Sequence, residues 1–274
     1  MSANCWINGE PRDGLPGPDH ALHHGYGVFE TLAVQQGRIV LEDYHLECLA
    51  QGCEHLKIPR PAREVLRKEL ATAAGDENRA VLKLVITLGV HGWDYRRDAD
   101  SRGTRLISRY PWPDYPARWQ EHGIRVRICD THVSRNPRLA GIKHLSRIEQ
   151  ILARSEWNDA DDIQEGLMLD EEGSVIEGTM TNVFAWLSHG VLATPALHHA
   201  GVAGVMRRYL MECADRAGIQ LRVASMSLAE LMQAEEIFVC NSIIGVWPVI
   251  AIGHWKYAVG PMTRQFMNWA AQAQ

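Results

Sequence analysis

Three prolines within eight residues, in the run Tyr110-Pro-Trp-Pro-Asp-Tyr-Pro-Ala117, keep this 274-residue chain from forming one uninterrupted fold. Each proline fixes its own φ and lacks an N–H, so such a stretch favours an extended connector over a central strand or helix. The chain therefore reads as two domains, residues 1–109 and 119–274, with residues 110–118 between them. That length lets each bury a core of its own.

Hydrophobic periodicity on either side of the connector predicts an α+β mixture. In the first part, Cys5–Asn8, Val28–Gln35, Arg38–Leu41, Ala80–Leu88 and Thr104–Tyr110 read as strands. Glu42–Leu56 and Ala62–Ala74 read as helices, and Gly89–Gly103 as a loop. In the second part, strands are expected at Ile124–Val133, Gly166–Asp170, Ser174–Ile176, Val183–Leu187, Ile237–Cys240 and Val246–Ile252. Helices are expected at Leu145–Trp157, Val205–Ala217, Leu228–Gln233 and Pro261–Ala273.

Composition excludes several classes of function. A formal charge of -5 gives no basic field, so nucleic acid is not an expected partner. No apolar run approaches membrane-spanning length and the first residues show no secretory pattern, so no membrane partner is expected either. The six cysteines are scattered without a Cys-x-x-Cys pair, which fits reduced thiols in a cytoplasmic protein. The 13 histidines show no metal-ligand spacing, and no metal site is expected.

Four segments carry candidate chemistry. Lys143 follows a Gly-Ile step and precedes an amphipathic run; a partly desolvated amine there can form a Schiff base with an aldehyde. Taken alone it reads as a solvated surface lysine, and the case for chemistry comes from its neighbours. The run Asp170-Glu-Glu-Gly-Ser-Val-Ile-Glu-Gly-Thr-Met-Thr-Asn-Val-Phe184 leads from a turn to Glu177 and then Asn182. A strand glutamate is either solvent-facing or, if buried, in need of a cationic partner. Gly201-Val-Ala-Gly-Val-Met-Arg207 places glycines before a helix, where the N–H groups of Gly204, Val205 and Met206 suit a phosphate as well as an ordinary helix start. Cys240-Asn-Ser242 ends an apolar strand, so that Ser242 offers either a further donor or a plain turn.

Taken in order, these segments resemble the fold-type IV pyridoxal-phosphate enzymes, which include branched-chain and D-amino-acid aminotransferases and aminodeoxychorismate lyase. The resemblance extends over nearly the whole chain. Asn136-Pro-Arg-Leu-Ala-Gly-Ile-Lys-His-Leu-Ser-Arg-Ile-Glu-Gln150 is similar to the lyase pattern, since His144-Leu145 follows the lysine where branched-chain aminotransferases continue toward a tyrosine.

The resemblance implies a two-domain fold like that of D-amino-acid aminotransferase, a homodimer, and pyridoxal 5'-phosphate as cofactor. Lys143, in the larger C-terminal domain, would carry the cofactor and act as catalytic base. Glu177 would face the pyridine nitrogen, with Asn182 beside it, and Gly204, Val205, Met206 and Ser242 would hold the phosphate. Thr31, in Val28-Phe-Glu-Thr-Leu32, would be a proton donor, and His45 a further cofactor contact. The implied reaction converts the small molecule 4-amino-4-deoxychorismate to 4-aminobenzoate and pyruvate, in folate biosynthesis.

Several arginines common in the family are absent from the first domain. Cys48 stands where His-x-x-Arg-Leu would place one, Thr31-Leu-Ala-Val34 replaces Thr-x-Arg-Val, and Pro18-Asp-His20 replaces Ser-Asp-Arg. His20, His23, His24, His45 and His91, or Arg96, Arg97 and Arg109, are candidates to take over the anionic groups. The run Asp19-His-Ala-Leu-His-His-Gly-Tyr-Gly-Val-Phe-Glu30 is closer to the aminotransferase pattern. An aminotransferase therefore stays open, as does a relative with weak or no cofactor binding.

Overall fold

A computed structural model describes residues 4–12, 14–90, 92–97 and 101–273. The chain divides into two compact units. One comprises the chain through Pro113 together with Ile142–Ser146; the other comprises Asp114–Gly141 and Arg147–Ala273.

The first unit is a six-stranded antiparallel sheet backed by helices. Its elements are β1 (Cys5–Ile7), β2 (Glu10–Pro11), α1 (His20–His24), β3 (Gly27–Gln35), β4 (Arg38–Ile39), α2 (Glu42–His55), α3 (Arg63–Ala74), β5 (Arg79–Thr87) and β6 (Thr104–Pro111). The strands lie in the order β2-β1-β6-β5-β3-β4. Successive strand side chains point to opposite faces, so Val28, Leu32 and Val34 meet Leu46, Leu49 and Cys53 of α2 and Leu66 and Leu70 of α3 in one core. Phe29, Thr31 and Ala33 point to the other face.

The second unit holds α4 (Ala117–His122), β7 (Ile124–Ile128), α5 (Ile148–Arg154), β8 (Glu165–Leu169), β9 (Val175–Gly178), β10 (Asn182–Leu187) and β11 (Val191–Pro195). There follow α6 (Val205–Arg216), β12 (Gln220–Ala224), α7 (Leu228–Met232), β13 (Glu236–Asn241), β14 (Gly245–Ile252), β15 (Trp255–Lys256) and α8 (Pro261–Gln272). Eight strands run β12-β11-β10-β13-β14-β7-β8-β9, with β15 on β14, and the sheet is mixed parallel and antiparallel. Phe184 of β10, Phe238 of β13 and Phe266 of α8 stack with centroids 5.0 and 4.9 Å apart and are fully buried. Each such side chain contributes about 1.5–3 kcal/mol of hydrophobic stabilisation.

The expected elements recur with three corrections. The strand expected to reach Val133 stops at Ile128. The connector is shorter than residues 110–118, because Tyr110 and Pro111 end β6 and Pro116 precedes α4. The helix expected over Leu145–Trp157 spans Ile148–Arg154. Its missing first turn is committed elsewhere: the Phe29 N–H donates to the Lys143 carbonyl at 2.9 Å, and the Leu145 N–H to the Gly27 carbonyl at 3.0 Å. This strand-like pairing also moves Lys143 from the C-terminal domain, where the sequence placed it, into the first unit.

Candidate active site

Gly27 makes the docking of the lysine segment possible. A Cβ there would lie 2.6 Å from Leu145 Cδ1 and 2.8 Å from the Ile86 carbonyl oxygen, closer than atoms pack. With Ile142–Ser146 seated along the start of β3, Lys143 Nζ comes 4.6 Å from the centroid of the Phe29 ring. Phe29 and Thr31 lie two apart on β3 and so share a face. The first unit thus brings the lysine amine to the face that carries Thr31.

His45 is not on that face. It is buried on the helix side, where its Nδ1 pairs with Glu30 Oε2 at 2.7 Å while Nε2 has no hydrogen-bond partner. His45 and Glu30 are thus mutual partners through Nδ1. His20 is buried, its Nε2 3.3 Å from the Gly92 carbonyl, and its ring meets that of His24 at 4.9 Å. His23 packs edge-on to His24, and His91 lies outside the described residues.

Arg96 is exposed and bonded to Asp94, and Arg97 is exposed. Arg109 sits opposite Leu82, on the helix side, where it bonds the Ala73 carbonyl and lies over Trp6. Cys48 is half-buried on α2.

In the second unit, Glu177 is buried near the end of β9. Its Oε2 accepts from the Val202 N–H at 2.7 Å and its Oε1 from Gln150 Nε2 at 3.3 Å, while Gln150 Oε1 is buried without a partner. Burial pulls the Arg147 guanidinium below its ordinary pKa, and the nearby charge of Glu177 opposes that fall. Spacing alone flagged Glu177 but neither Gln150 nor Arg147, whose approach depends on how α5 and the chain before it pack.

Asn182 ties the remaining pieces to Glu177. Its Nδ2 donates to the Val202 carbonyl at 2.8 Å, and a Cβ on Gly204 would collide with its Oδ1. Gly204 immediately precedes α6 and no side chain caps that helix, so the N–H groups of its first turn face outward as donors with a positive dipole behind them. Asn182 pairs with Cys240 across β10 and β13, and the chain beyond Cys240 turns through Asn241 and Ser242. Asn241 holds this turn by accepting from the Ile243 and Ile244 N–H groups and donating to the Met180 carbonyl. Glu177, Asn182, the start of α6 and the Ser242 turn thus gather at one end of the second sheet.

A second carboxylate, missed by spacing, supports this end. Glu165 is fully buried and accepts from the Gly166 N–H at 2.8 Å, the Thr179 N–H at 3.0 Å and the Thr181 hydroxyl at 3.0 Å. Further bonds come from the Thr179 hydroxyl and the Met180 N–H. Burial pushes the Glu165 carboxyl above its ordinary pKa despite these donors. The segment it grips, Thr179–Thr181, lies between Glu177 and Asn182.

Cys53, Cys129 and Cys240 have thiols pushed up to about 12 by burial, which makes them poor nucleophiles. Among the described residues no cluster of His, Cys, Asp and Glu could hold a metal ion, and no helix is long and apolar enough to cross a membrane.

The first unit carries a lysine amine against an aromatic ring, and the second, by itself, a buried carboxylate and an uncapped helix start braced by an asparagine. With its α+β architecture, the chain is a fold-type IV pyridoxal-phosphate enzyme. It belongs to the Amino-transferase class IV family, matched over residues 27–252. The aminodeoxychorismate lyase of Vibrio harveyi is 34% identical over 96% of this chain and 98% of its own. A crystal structure of the 4-amino-4-deoxychorismate lyase from Pseudomonas aeruginosa superposes with a TM-score of 0.92 at 42% identity, covering 98% of both chains. A putative branched-chain-amino-acid aminotransferase of Methanocaldococcus jannaschii is 30% identical over 85% of this chain and 81% of its own. The family uses pyridoxal 5'-phosphate.

Proposed function

We propose that this protein is an aminodeoxychorismate lyase, converting 4-amino-4-deoxychorismate to 4-aminobenzoate and pyruvate with pyridoxal 5'-phosphate. The observation that carries the reading is the Lys143 amine against Phe29, on the face of β3 that also bears Thr31. Similarity to lyases at 34% and 42% identity supports it.

When bound, the cofactor withdraws electrons from the carbon bearing the substrate amine. Lys143 would hold the cofactor, and its free amine takes the substrate C4 proton as general base. The electron pair of that C–H bond enters the ring as the C3–O bond breaks. Thr31 gives a proton to the departing enolpyruvyl oxygen, and the enol becomes pyruvate. Glu177, fixed by Val202, Gln150 and the charge of Arg147, would hold a negative charge for the pyridine nitrogen. Asn182 fixes the loop before α6, whose first-turn N–H groups at Val205 and Met206 would take the phosphate together with Ser242; Gly204 is not a donor as the sequence suggested, because its own N–H is bonded to the Val202 carbonyl at 2.9 Å.

A homodimer is part of this proposal. The apolar stripe Ile148, Ile151 and Leu152, exposed along α5, is surface that a second copy could cover.

The deciding experiment incubates the protein, pyridoxal phosphate and 4-amino-4-deoxychorismate without an amino acceptor. Release of 4-aminobenzoate and pyruvate is the expected result. Turnover that requires a 2-oxo acid would instead establish an aminotransferase, the second reading, which the run Asp19–Glu30 and the 30% identity to a putative branched-chain-amino-acid aminotransferase favour. Absence of both cofactor absorbance and turnover would refute either enzyme.

A further inference from the structure

The geometry points to Lys83 as the anchor for a carboxylate of the substrate. This rests on the proposal that a carboxylate-bearing amino compound reacts at Lys143. Strands β3 and β5 pair in register from Gly27↔Thr87 to Gln35↔Arg79, which sets Thr31 directly opposite Lys83. Away from the strand ends, every residue of both strands is buried except these two, which are half-exposed. They form a polar notch in an otherwise closed surface.

Both lysine amines meet at one ring. Lys83 Nζ lies 4.8 Å from the Phe29 centroid and Lys143 Nζ 4.6 Å from it. Among the described residues the Lys83 ammonium has no ion pair and no hydrogen bond, its one close partner being that ring. A half-buried cation in this condition has lost hydration without gaining an anion, and an incoming carboxylate restores the balance.

Three other cations of the same sheet are already engaged. Arg105 is bound to Glu69, while Arg109 bonds the Ala73 carbonyl on the helix side. Arg79 lies over Trp112. Lys83 is thus placed to fix the substrate between the lysine that moves the proton and the threonine beside the leaving oxygen.

The test is calorimetric binding of 3-(1-carboxyvinyloxy)benzoate, which has two carboxylates and no amine, to the protein loaded with pyridoxal phosphate. Loss of a charge-assisted contact predicts a Kd weaker by on the order of tenfold to a hundredfold in Lys83→Met and in Lys83→Gln. Lys83→Arg, which keeps the cation, is expected to stay within about threefold of wild type. Steady-state kinetics of the neutral variants should show the loss mainly in KM. An unchanged Kd in a folded neutral variant, or no binding by wild type, overturns the assignment. Wild type that binds the probe in a Lys83-dependent way yet forms no 4-aminobenzoate upholds Lys83 and refutes the lyase reading alone.

Discussion

The Lys143 carbonyl accepts the Phe29 N–H at 2.9 Å while the Lys143 amine lies 4.6 Å from the Phe29 ring, so the lysine is held to β3 by backbone and side chain together. This double attachment is the source of the first prediction. In Lys143→Ala the backbone pairing persists, so the melting temperature should remain near that of wild type. The visible absorbance of the bound cofactor should disappear, and turnover should fall by about 10³-fold or more. Full lyase activity in this variant would remove Lys143 from the mechanism.

Thr31→Val keeps the shape of the side chain and removes its hydroxyl. Because Val suits a strand, stability should change by less than about 1 kcal/mol. Loss of the proton donor predicts a kcat lower by roughly 10²-fold or more, with cofactor affinity retained. Stopped-flow kinetics with 4-amino-4-deoxychorismate measure the first quantity and absorbance titration the second. An unaltered kcat would make Thr31 a structural residue.

Gly204→Ala tests the start of α6. The added Cβ collides with Asn182 Oδ1, and relief requires moving either the asparagine or the helix start. Overpacking of this kind costs about 1–3 kcal/mol. Cofactor affinity should weaken by about tenfold or more, since the first-turn N–H groups are displaced with the backbone. A cofactor titration with wild-type Kd would contradict the phosphate role of this turn.

Glu165→Ala leaves the Gly166 N–H and the Thr181 hydroxyl buried without an acceptor, which should destabilise the protein by about 3 kcal/mol or more in urea unfolding. The pH dependence of wild type carries a second signature. Because burial raises the native carboxyl pKa, the native state binds more protons than the unfolded chain. The stability contributed by this group is full below the unfolded pKa of about 4.3 and is lost as pH rises through the raised native value. Glu165→Gln should remove that slope, and identical slopes in the two proteins would refute the assignment.

His45→Ala should impair folding far more than cofactor binding. It strands Glu30 in the core, and breaking such a buried pair costs about 3–5 kcal/mol. Chemical denaturation gives the stability change, and absorbance titration of the folded fraction is expected to show a cofactor Kd within about threefold of wild type. A large loss of affinity without loss of stability would return His45 to the cofactor site.

The parts of the site that were legible in the sequence are those made by neighbours along the chain. Gly204 before an amphipathic run announces a helix start whose first turn has no side-chain cap, which leaves the N–H groups of Val205 and Met206 open. The order of Lys143, Glu177, Asn182 and Ser242 was likewise readable as spacing. Family similarity lent those positions their meaning, since each alone had an ordinary structural explanation.

What spacing could not supply depends on residues far apart in the chain. The start of α5 slipped from Leu145 to Ile148 because Gly27 and Phe29 compete for the intervening backbone. The burial of His45 follows from Glu30 on β3, and the grip of Glu165 on Thr179–Thr181 from the packing of β8 beside β9.

The sequence by itself determined the two-part α+β composition, the connector region and the local segments able to carry lysine, carboxylate and phosphate chemistry, because helix starts, strand periodicity and proline effects act over a few residues. The tertiary structure alone decided which unit receives Lys143, which face of β3 it reaches, and that Lys83 stands opposite Thr31. Those outcomes are set by strand register and side-chain packing, which are free-energy differences between pairings of distant segments and leave no mark on either segment alone.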